Sequence, residues 1–448
     1  MIETEADFQK FTSNNGGDWI VHAVPLNRGT HPSDNTPCLL FIKVLNTGQV
    51  YYYSYNHPDS LPVITKDKFD EAFRTSPNKK WTLDRKSFCQ LIPTENVYDA
   101  NYNSFQNTNE IFTFNEFETA AHDLVKRNSN GIIDINRYIP LMKHLETFNN
   151  ICGVIFKLIA PSELTSEIIN VVILETLEKM ESVGIYVDRS IYSKYYTVIP
   201  NSKNLVYSQY NIYTSTGRPS NRFGGVNYAA LNSKDGSRAA FVSRYGADGK
   251  IVVIDYSAFH PRIICFLTGY DIPLETDIYE YLAKLYFRKQ SVDEIDILEA
   301  KKLTFKQLYG EIEDRYSHIK YLGTLKSYIQ RKWDFFNENE YVETPIFKRK
   351  ITSKHLIDPT PNKVFNYILQ AVEGEIAIYR LREVQKFLST RKTKAILYTY
   401  DAVIYDFHRD DGMDTLKRIR EIMGFEGKFP TKVYVGDSYQ SVKRVDIP

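Results

Sequence analysis

Two stretches of this 448-residue chain are apolar enough to be buried strands, and each carries a carboxylate where burial costs most. Lys250-Ile-Val-Val-Ile-Asp-Tyr256 reads as a buried strand that ends on an acid, Asp255. Lys394-Ala-Ile-Leu-Tyr-Thr-Tyr-Asp-Ala-Val-Ile-Tyr-Asp406 has the composition of a strand–turn–strand hairpin with Asp401 at its bend. A carboxylate in such a place is unfavourable unless something positive compensates it. Brought together, the two acids could hold a pair of Mg²⁺ ions at their oxygens, and such a pair clamps the attacking and leaving oxygens of a phosphoryl transfer. Taken singly, either acid equally suits a turn cap or an acceptor of backbone N–H bonds. Spacing alone does not choose between these readings.

Charge narrows the classes. Lys and Arg number 56 against 55 Asp and Glu, a formal net charge of +1. That balance excludes a histone-like basic coat and an acidic solvating chain, but not an enzyme that confines positive charge to one cleft. Cys38, Cys89, Cys152 and Cys265 lie far apart with no CxxC pair, so neither a disulfide framework nor a structural zinc site is expected. The first residues, Met1-Ile-Glu-Thr-Glu-Ala-Asp7, lack the basic and apolar regions of a secretory signal. No apolar run approaches the ~20 residues needed to span a bilayer. The expectation is a soluble cytoplasmic protein with no membrane partner. Its 33 tyrosines and 26 phenylalanines are read mostly as core and sheet residues, although aromatics also make platforms for bases.

Along the chain, residues 1–150 read as mixed α/β, with short β-type runs at 19–24, 38–44 and 50–55 and helical patterns around 66–73 and 115–127. From Ser162 a long amphipathic pattern begins, with Gly184 placed to terminate it, and the main boundary is expected near residue 160. The polar, glycine-containing stretch 201–249 reads as loops with short elements. Helices are expected over 276–288, 293–309 and 363–388.

Within the second of these, Lys301, Phe305 and Tyr309 recur every four residues and so share one stripe of the helix. An ammonium, an apolar ring and a phenol in a row suit a triphosphate, a base and a sugar. The competing reading is a solvated lysine followed by two core aromatics.

The order of these features carries more than any one of them. Thr216-Gly217-Arg218 is followed by Asp255-Tyr256-Ser257, then Lys301…Phe305…Tyr309-Gly310, then Asn366…Gln370, then Tyr400-Asp401. This resembles the polymerase domain of the family A (DNA polymerase I-like) DNA polymerases. Their hallmark motifs are an Asp-Tyr-Ser strand end, a fingers helix of Lys-x₃-Phe-x₃-Tyr-Gly form and a His-Asp-Glu-like hairpin. Met180-Glu-Ser-Val-Gly-Ile-Tyr-Val-Asp188 and Arg238-Ala-Ala-Phe241 also look like segments of that family.

The resemblance implies an α+β fold: a right-hand palm of antiparallel sheet with helical fingers, preceded by a small α/β exonuclease-like domain. The implied domains are 1–160 and 161–448, with fingers about 270–345. It implies template-directed addition of dNTPs to a primer 3′ end, with two Mg²⁺ (or Mn²⁺) ions on Asp255, Asp401 and the carbonyl of Tyr256. Lys301 would meet the triphosphate, with Phe305 and Tyr309 against base and sugar. Arg218, Asn366, Gln370 and Tyr400 would line the DNA path, with Arg262 in a supporting role. Primer–template DNA and dNTPs are the implied partners.

The departures from the family pattern are specific. His260 stands where the family usually has the glutamate that crowds a ribose 2′-hydroxyl and bonds the fingers tyrosine. It is still bulky and able to bond Tyr309, but it leaves open a ribonucleotide-using primer synthesiser. Ile297 replaces an arginine, so triphosphate contact leans on Lys301 with Lys302, Arg288 or Lys289. Tyr400 and Ala402 replace the hairpin's usual His and second acid. Only 28 positions separate Asp188 from Thr216, where the family has a long helical thumb, so a reduced thumb is expected over about 189–215. Weak, salt-sensitive synthesis follows, or a processivity or replisome partner that supplies the grip. A catalytically silent polymerase-like subunit is the rival from another class.

The N-terminal region resembles the family's 3′–5′ exonuclease-like domain more faintly. It has His22-Ala-Val24 where the chemistry needs Asp-x-Glu, and Asp84 and Asp99 read as surface or turn residues, so no proofreading is expected. Loss of modules suits a phage or virus, which would place the protein in the host cytoplasm.

Overall fold

The structure is a computed structural model that describes residues 2–13, 16–112, 135–159, 164–425 and 427–447. The pattern read over 115–127 lies outside the described residues. The chain divides into two compact units, Met1–Ser182 and Val183–Pro448.

The first unit is built on a five-stranded sheet in the order β3-β2-β1-β4-β5. Its strands are β1 (Trp19–Pro25), β2 (Pro37–Val44), β3 (Val50–Ser54), β4 (Lys80–Thr82) and β5 (Val97–Asp99). The β1–β2 and β2–β3 pairs are antiparallel, and β1–β4 and β4–β5 are parallel. Helices α1 (Glu5–Ser13), α2 (Lys66–Thr75), α3 (Arg85–Leu91), α4 (Ala100–Thr108), α5 (Ile135–Tyr138), α6 (Leu141–Leu158) and α7 (Leu164–Val183) complete it. Because side chains alternate along a strand, Trp19 and Val21 enter one core and Ile20 and Val24 the other. Both faces are covered, which is why β2 is apolar without a break from Cys38 to Ile42. Aromatic residues fill these cores: Tyr53 stacks on Phe69 with ring centres 4.0 Å apart, and Phe41 on Phe148 at 5.2 Å. The high aromatic content is, in this unit, core.

Helix α7 stops at Val183, and Gly184 follows in the left-handed region at φ +66°, the conformation expected of a helix-ending glycine. Helix α6 was not expected from the sequence.

The second unit is centred on an antiparallel sheet in the order β13-β14-β10-β15-β16. Its strands are β10 (Gly249–Tyr256), β13 (Lys394–Tyr398), β14 (Ala402–His408), β15 (Thr431–Gly436) and β16 (Lys443–Val445). Around it lie α8 (Arg189–Tyr192), α9 (Phe259–Thr268), α10 (Ile278–Phe287), α11 (Glu294–Tyr309), α12 (Lys320–Asn339), α13 (Pro361–Phe387) and α14 (Gly412–Met423). Strand β10 sits mid-sheet between β14 and β15, hence its continuous Val/Ile composition.

Helix boundaries follow local chemistry. Asp293 caps α11 in a reciprocal capping box with Asp296, and Thr360 with Pro361 opens α13. Gly310 closes α11 where a Cβ would come within 2.7 Å of the Lys306 carbonyl oxygen. Between Asp188 and Thr216 the only helix is the four-residue α8, followed by β7 (Leu205–Val206), which pairs with β6 (Ile185–Tyr186), and by β8 (Tyr210–Asn211), which pairs with β9 (Ser220–Asn221). The sequence reading also left out α9, α12, α14, β15, β16 and the hairpin of β11 (Tyr341–Glu343) with β12 (Lys350–Thr352). Among the described residues no helix is long and apolar enough to cross a membrane.

Candidate active site

The register of the central sheet brings the two acids together. Asp255 pairs with Ala402 across β10–β14, and the Tyr256 N–H donates to the Asp401 carbonyl at 2.8 Å. The bend before Asp401 is held by Tyr210, whose hydroxyl accepts from the Tyr398 N–H at 2.7 Å and donates to the Tyr398 carbonyl at 2.8 Å. Tyr400, at φ +75°, makes the turn in a conformation uncommon for a non-glycine residue.

Electrostatics separate these acids from a structural one on the same hairpin. Asp406 is fully buried, but Arg244 Nε lies 2.7 Å from it and the Ser243 hydroxyl bonds it. Neither Asp255 nor Asp401 has a side-chain ion pair among the described residues. Burial and then the charge of Asp401 push the Asp255 carboxyl up to about 7, against the weaker pull of Lys432 and Lys301. Burial also raises Asp401; Glu373 adds to the rise, and Arg218 and His260 oppose it. Two neighbouring carboxylates, one raised by the charge of the other, fit a hard divalent cation such as Mg²⁺ or Mn²⁺. Among the described residues no group of three or more His, Cys, Asp or Glu side chains is placed to hold a metal ion. A cation here would complete its shell with carbonyl, water or substrate oxygens, as Mg²⁺ commonly does.

The Lys301–Tyr309 stripe is not core. The buried residues of α11 are Ala300, Thr304, Gln307 and Leu308, whereas Lys301 is exposed, Phe305 half-buried and Tyr309 41% exposed. The Phe305 and Tyr309 rings are parallel within 1°, centres 5.8 Å apart. Tyr279 of α10 extends this platform: its ring centre lies 6.3 Å from that of Phe305 and 5.6 Å from the Lys301 ammonium. Lys289 is held by Asp296 at 2.7 Å.

Behind the stripe stands α13. Asn366 donates to the Tyr309 carbonyl at 3.2 Å, and Gln370 follows one turn on, half-buried. Arg218 lies over the Tyr400 ring at 3.9 Å, and its Nε is 2.9 Å from a carboxylate oxygen of Glu373. His260 contacts the same carboxylate and, through Nδ1, the Tyr309 hydroxyl. Arg262 stands apart from this group. Its guanidinium donates to the carbonyls of Ile272 at 2.7 Å and Thr276 at 2.7 Å, which makes it a clasp for the loop after α9.

Three residues of this region were missed from the sequence: Tyr279, Glu373 and Glu375. The two glutamates carry the same signal as Asp401, an acid inside an apolar run, here Ala371-Val-Glu-Gly-Glu-Ile-Ala377. Glu375 accepts from the Thr344 hydroxyl and from the Phe347 N–H at 3.2 Å.

This antiparallel sheet with its surrounding helices is the fold of a DNA polymerase domain. A solved structure that it matches is the POL domain of Pol1 from M. smegmatis, in complex with DNA primer-template and dNTP. The TM-score is 0.70 at 14% identity, over 96% of this chain and 97% of that one. No protein-family model and no curated protein matches the sequence.

Proposed function

We propose that the chain is a template-directed DNA polymerase of the family A type, which adds dNTPs to a primer 3′ end by in-line attack on the α-phosphate. The observation that carries this reading is the placement of Asp255 beside the Asp401–Ala402 end of β14, close enough for the charge of Asp401 to raise Asp255, with neither carboxylate in an ion pair among the described residues. The polymerase-domain fold supports it.

In this reading the two carboxylates and the Tyr256 carbonyl would hold divalent ions, which would supply Lewis acidity toward the primer hydroxyl and charge neutralisation toward the pyrophosphate. Lys301 meets the triphosphate, and the Tyr279–Phe305–Tyr309 platform takes the base and sugar. Arg218, Tyr400, Asn366 and Gln370 line the primer–template path. Preorganised charge supplies most of the rate, with no covalent enzyme intermediate.

The domains follow as an exonuclease-like region over about 1–160 and a polymerase domain over 161–448. Proofreading is absent in this reading, because His22-Ala-Val24 stands in mid-strand where the acids would be needed and Asp84 and Asp99 cap α3 and α4. The short elements at 189–215 support a reduced thumb, hence weak grip alone and a processivity or replisome protein as partner, in the manner of a compact phage-type enzyme.

Extension of a labelled primer–template with Mg²⁺ and either dNTPs or rNTPs tests the reading, with Asp255→Ala and Asp401→Ala alongside. Extension with dNTPs that both substitutions abolish is the expected result. Equal extension with rNTPs would assign a primer synthesiser, and DNA binding without extension a silent replisome subunit.

A further inference from the structure

Glu373 is 2% exposed, and a buried carboxylate persists where partners compensate its charge. Its partners come from two sides. Arg218 donates from Nη2 to one oxygen at 3.3 Å and brings Nε to 2.9 Å from the other. His260 places Nε2 3.3 Å from that second oxygen, within ion-pair range though without the alignment of a full hydrogen bond. The other imidazole nitrogen, Nδ1, meets the Tyr309 hydroxyl. A relay thus runs from α13 through α9 to the exposed stripe of α11.

The relay has a direction. An ionised carboxylate only accepts hydrogen bonds, so the imidazole nitrogen turned toward it is the one that carries the proton. The neutral ring is then the Nε2–H tautomer, and Nδ1 is left to accept from the Tyr309 O–H. With Nδ1 and the phenol bonded to one another and Nε2 turned toward Glu373, ring and phenol are held as one bulky wall beside the stripe. A ligand hydroxyl pressed against such a wall loses water that a single phenol oxygen replaces only in part.

We propose that Glu373 is a positioning residue that fixes the His260 tautomer and, through it, the Tyr309 ring, so that the site selects deoxyribonucleotides over ribonucleotides. The inference rests on the polymerase reading above and assigns the sugar specificity of that site to a side chain that never touches the nucleotide.

Glu373→Gln tests it, because an amide of the same shape both donates and accepts and no longer dictates the tautomer. Single-nucleotide incorporation of dNTPs and rNTPs is measured for the wild type, Glu373→Gln and Glu373→Asp, with thermal melting to verify folding. ¹⁵N-histidine NMR follows the ring, the His260 signal being assigned by its loss in His260→Gln. The expected result is a fall of about tenfold or more in the dNTP:rNTP ratio of kcat/KM, mostly through better rNTP use. Glu373→Asp restores part of the ratio, and the Nε2–H pattern of the wild type gives way to a mixture in Glu373→Gln. An unchanged ratio overturns the proposal whatever the spectrum, and so does a parallel loss with both nucleotides, the mark of a merely structural role. A wild type that incorporates neither nucleotide overturns the polymerase reading and the selectivity with it, and the spectrum then judges the tautomer by itself.

Discussion

Gly217 lies under the guanidinium of Arg349: a Cβ on this glycine would come within 1.9 Å of Nη1. Arg349 is held there by the carbonyls of Thr214 and Ser215, which its Nη2 meets at 3.0 and 3.2 Å. Gly217 is also left-handed, at φ +73°. The loop that presents Arg218 is therefore clasped by a residue from the β11–β12 hairpin, itself tied to α13 through Glu375. Gly217→Ala is expected to destabilise the protein by about 1–3 kcal/mol, from left-handed strain plus lost charged hydrogen bonds. It is also expected to weaken primer–template binding. Gly225→Ala is the control, since Gly225 is left-handed too but has nothing within 4 Å of its Cβ position. Urea melts and DNA titrations of the two variants separate the clasp from the backbone strain, and equal effects would remove the clasp from the argument.

The acid pair predicts opposite effects on stability and on rate. Replacing Asp255 or Asp401 by Asn removes one of two neighbouring negative charges, the first half-buried and the second exposed at the bend, so in the absence of Mg²⁺ each variant is expected to melt at or above the wild type. Extension is expected to fall about 10³-fold or more, with DNA binding retained. Added Mg²⁺ should raise the melting temperature of the wild type but not of the double variant, and chelation should stop extension. A variant that loses both stability and activity would mark its acid as structural, like Asp406.

Glu375 gives the protein a pH-dependent stability away from the acid pair. Burial pushes its carboxyl up to about 7, against the hydrogen bonds from Thr344 and Phe347 and the charge of Arg349. In the unfolded chain the group titrates near its ordinary value of 4.5. Between those two pH values the folded state binds more protons than the unfolded one, so stability falls as pH rises through the window. Below it both states are protonated, and above it both are ionised, so this contribution becomes flat. Glu375→Gln lacks the titration. Its stability relative to the wild type is expected to climb from pH 4.5 to pH 7 by up to about 3 kcal/mol, at about 1.4 kcal/mol per pH unit. Denaturant melts at pH 5, 6, 7 and 8 measure it, and parallel curves for the two proteins would refute it.

What could be read from the sequence follows from which signals are local. Asp255 and Asp401 were visible because each interrupts an apolar run, and Lys301, Phe305 and Tyr309 because a helix repeats every 3.6 residues. The caps and breakers were legible for the same reason: Asp293 opens α11 and Gly184 follows the end of α7. Glu373 and Glu375 announce themselves just as strongly, but their meaning depends on His260, Thr344 and Arg349, residues far away in sequence. Arg349 sits in a Lys-Arg-Lys run whose charges alone do not say where they point, and tertiary structure turns its guanidinium inward against Gly217. Arg262 shows the converse. Its place after Asp255-Tyr-Ser suggests a part in the site, yet the carbonyls at 272–276 occupy its guanidinium. Helix α12 lacks a comparable local mark, since neither an N-cap side-chain bond nor a C-terminal glycine bounds it.

Tyr279 and Lys301 make the last prediction, because the platform they form assigns them different shares of nucleotide binding. Lys301 brings the exposed ammonium, and Tyr279 brings the ring 5.6 Å from it and the contact to Phe305. A charge that meets a triphosphate acts through charge-assisted hydrogen bonds, which are stronger than an exposed cation–π contact. Lys301→Ala is therefore expected to cost about 10²-fold in kcat/KM, with kcat falling as well, because charge on the pyrophosphate grows toward the transition state. Tyr279→Leu keeps the apolar bulk and removes the π face. It is expected to raise the dNTP KM about three- to fivefold, the worth of an exposed cation–π contact, with kcat nearly unchanged. Steady-state incorporation kinetics on one primer–template distinguish the two, and in the double variant Tyr279→Leu should add nothing through the ammonium that Lys301→Ala has already removed. Strictly additive losses would show that Tyr279 acts through Phe305 alone.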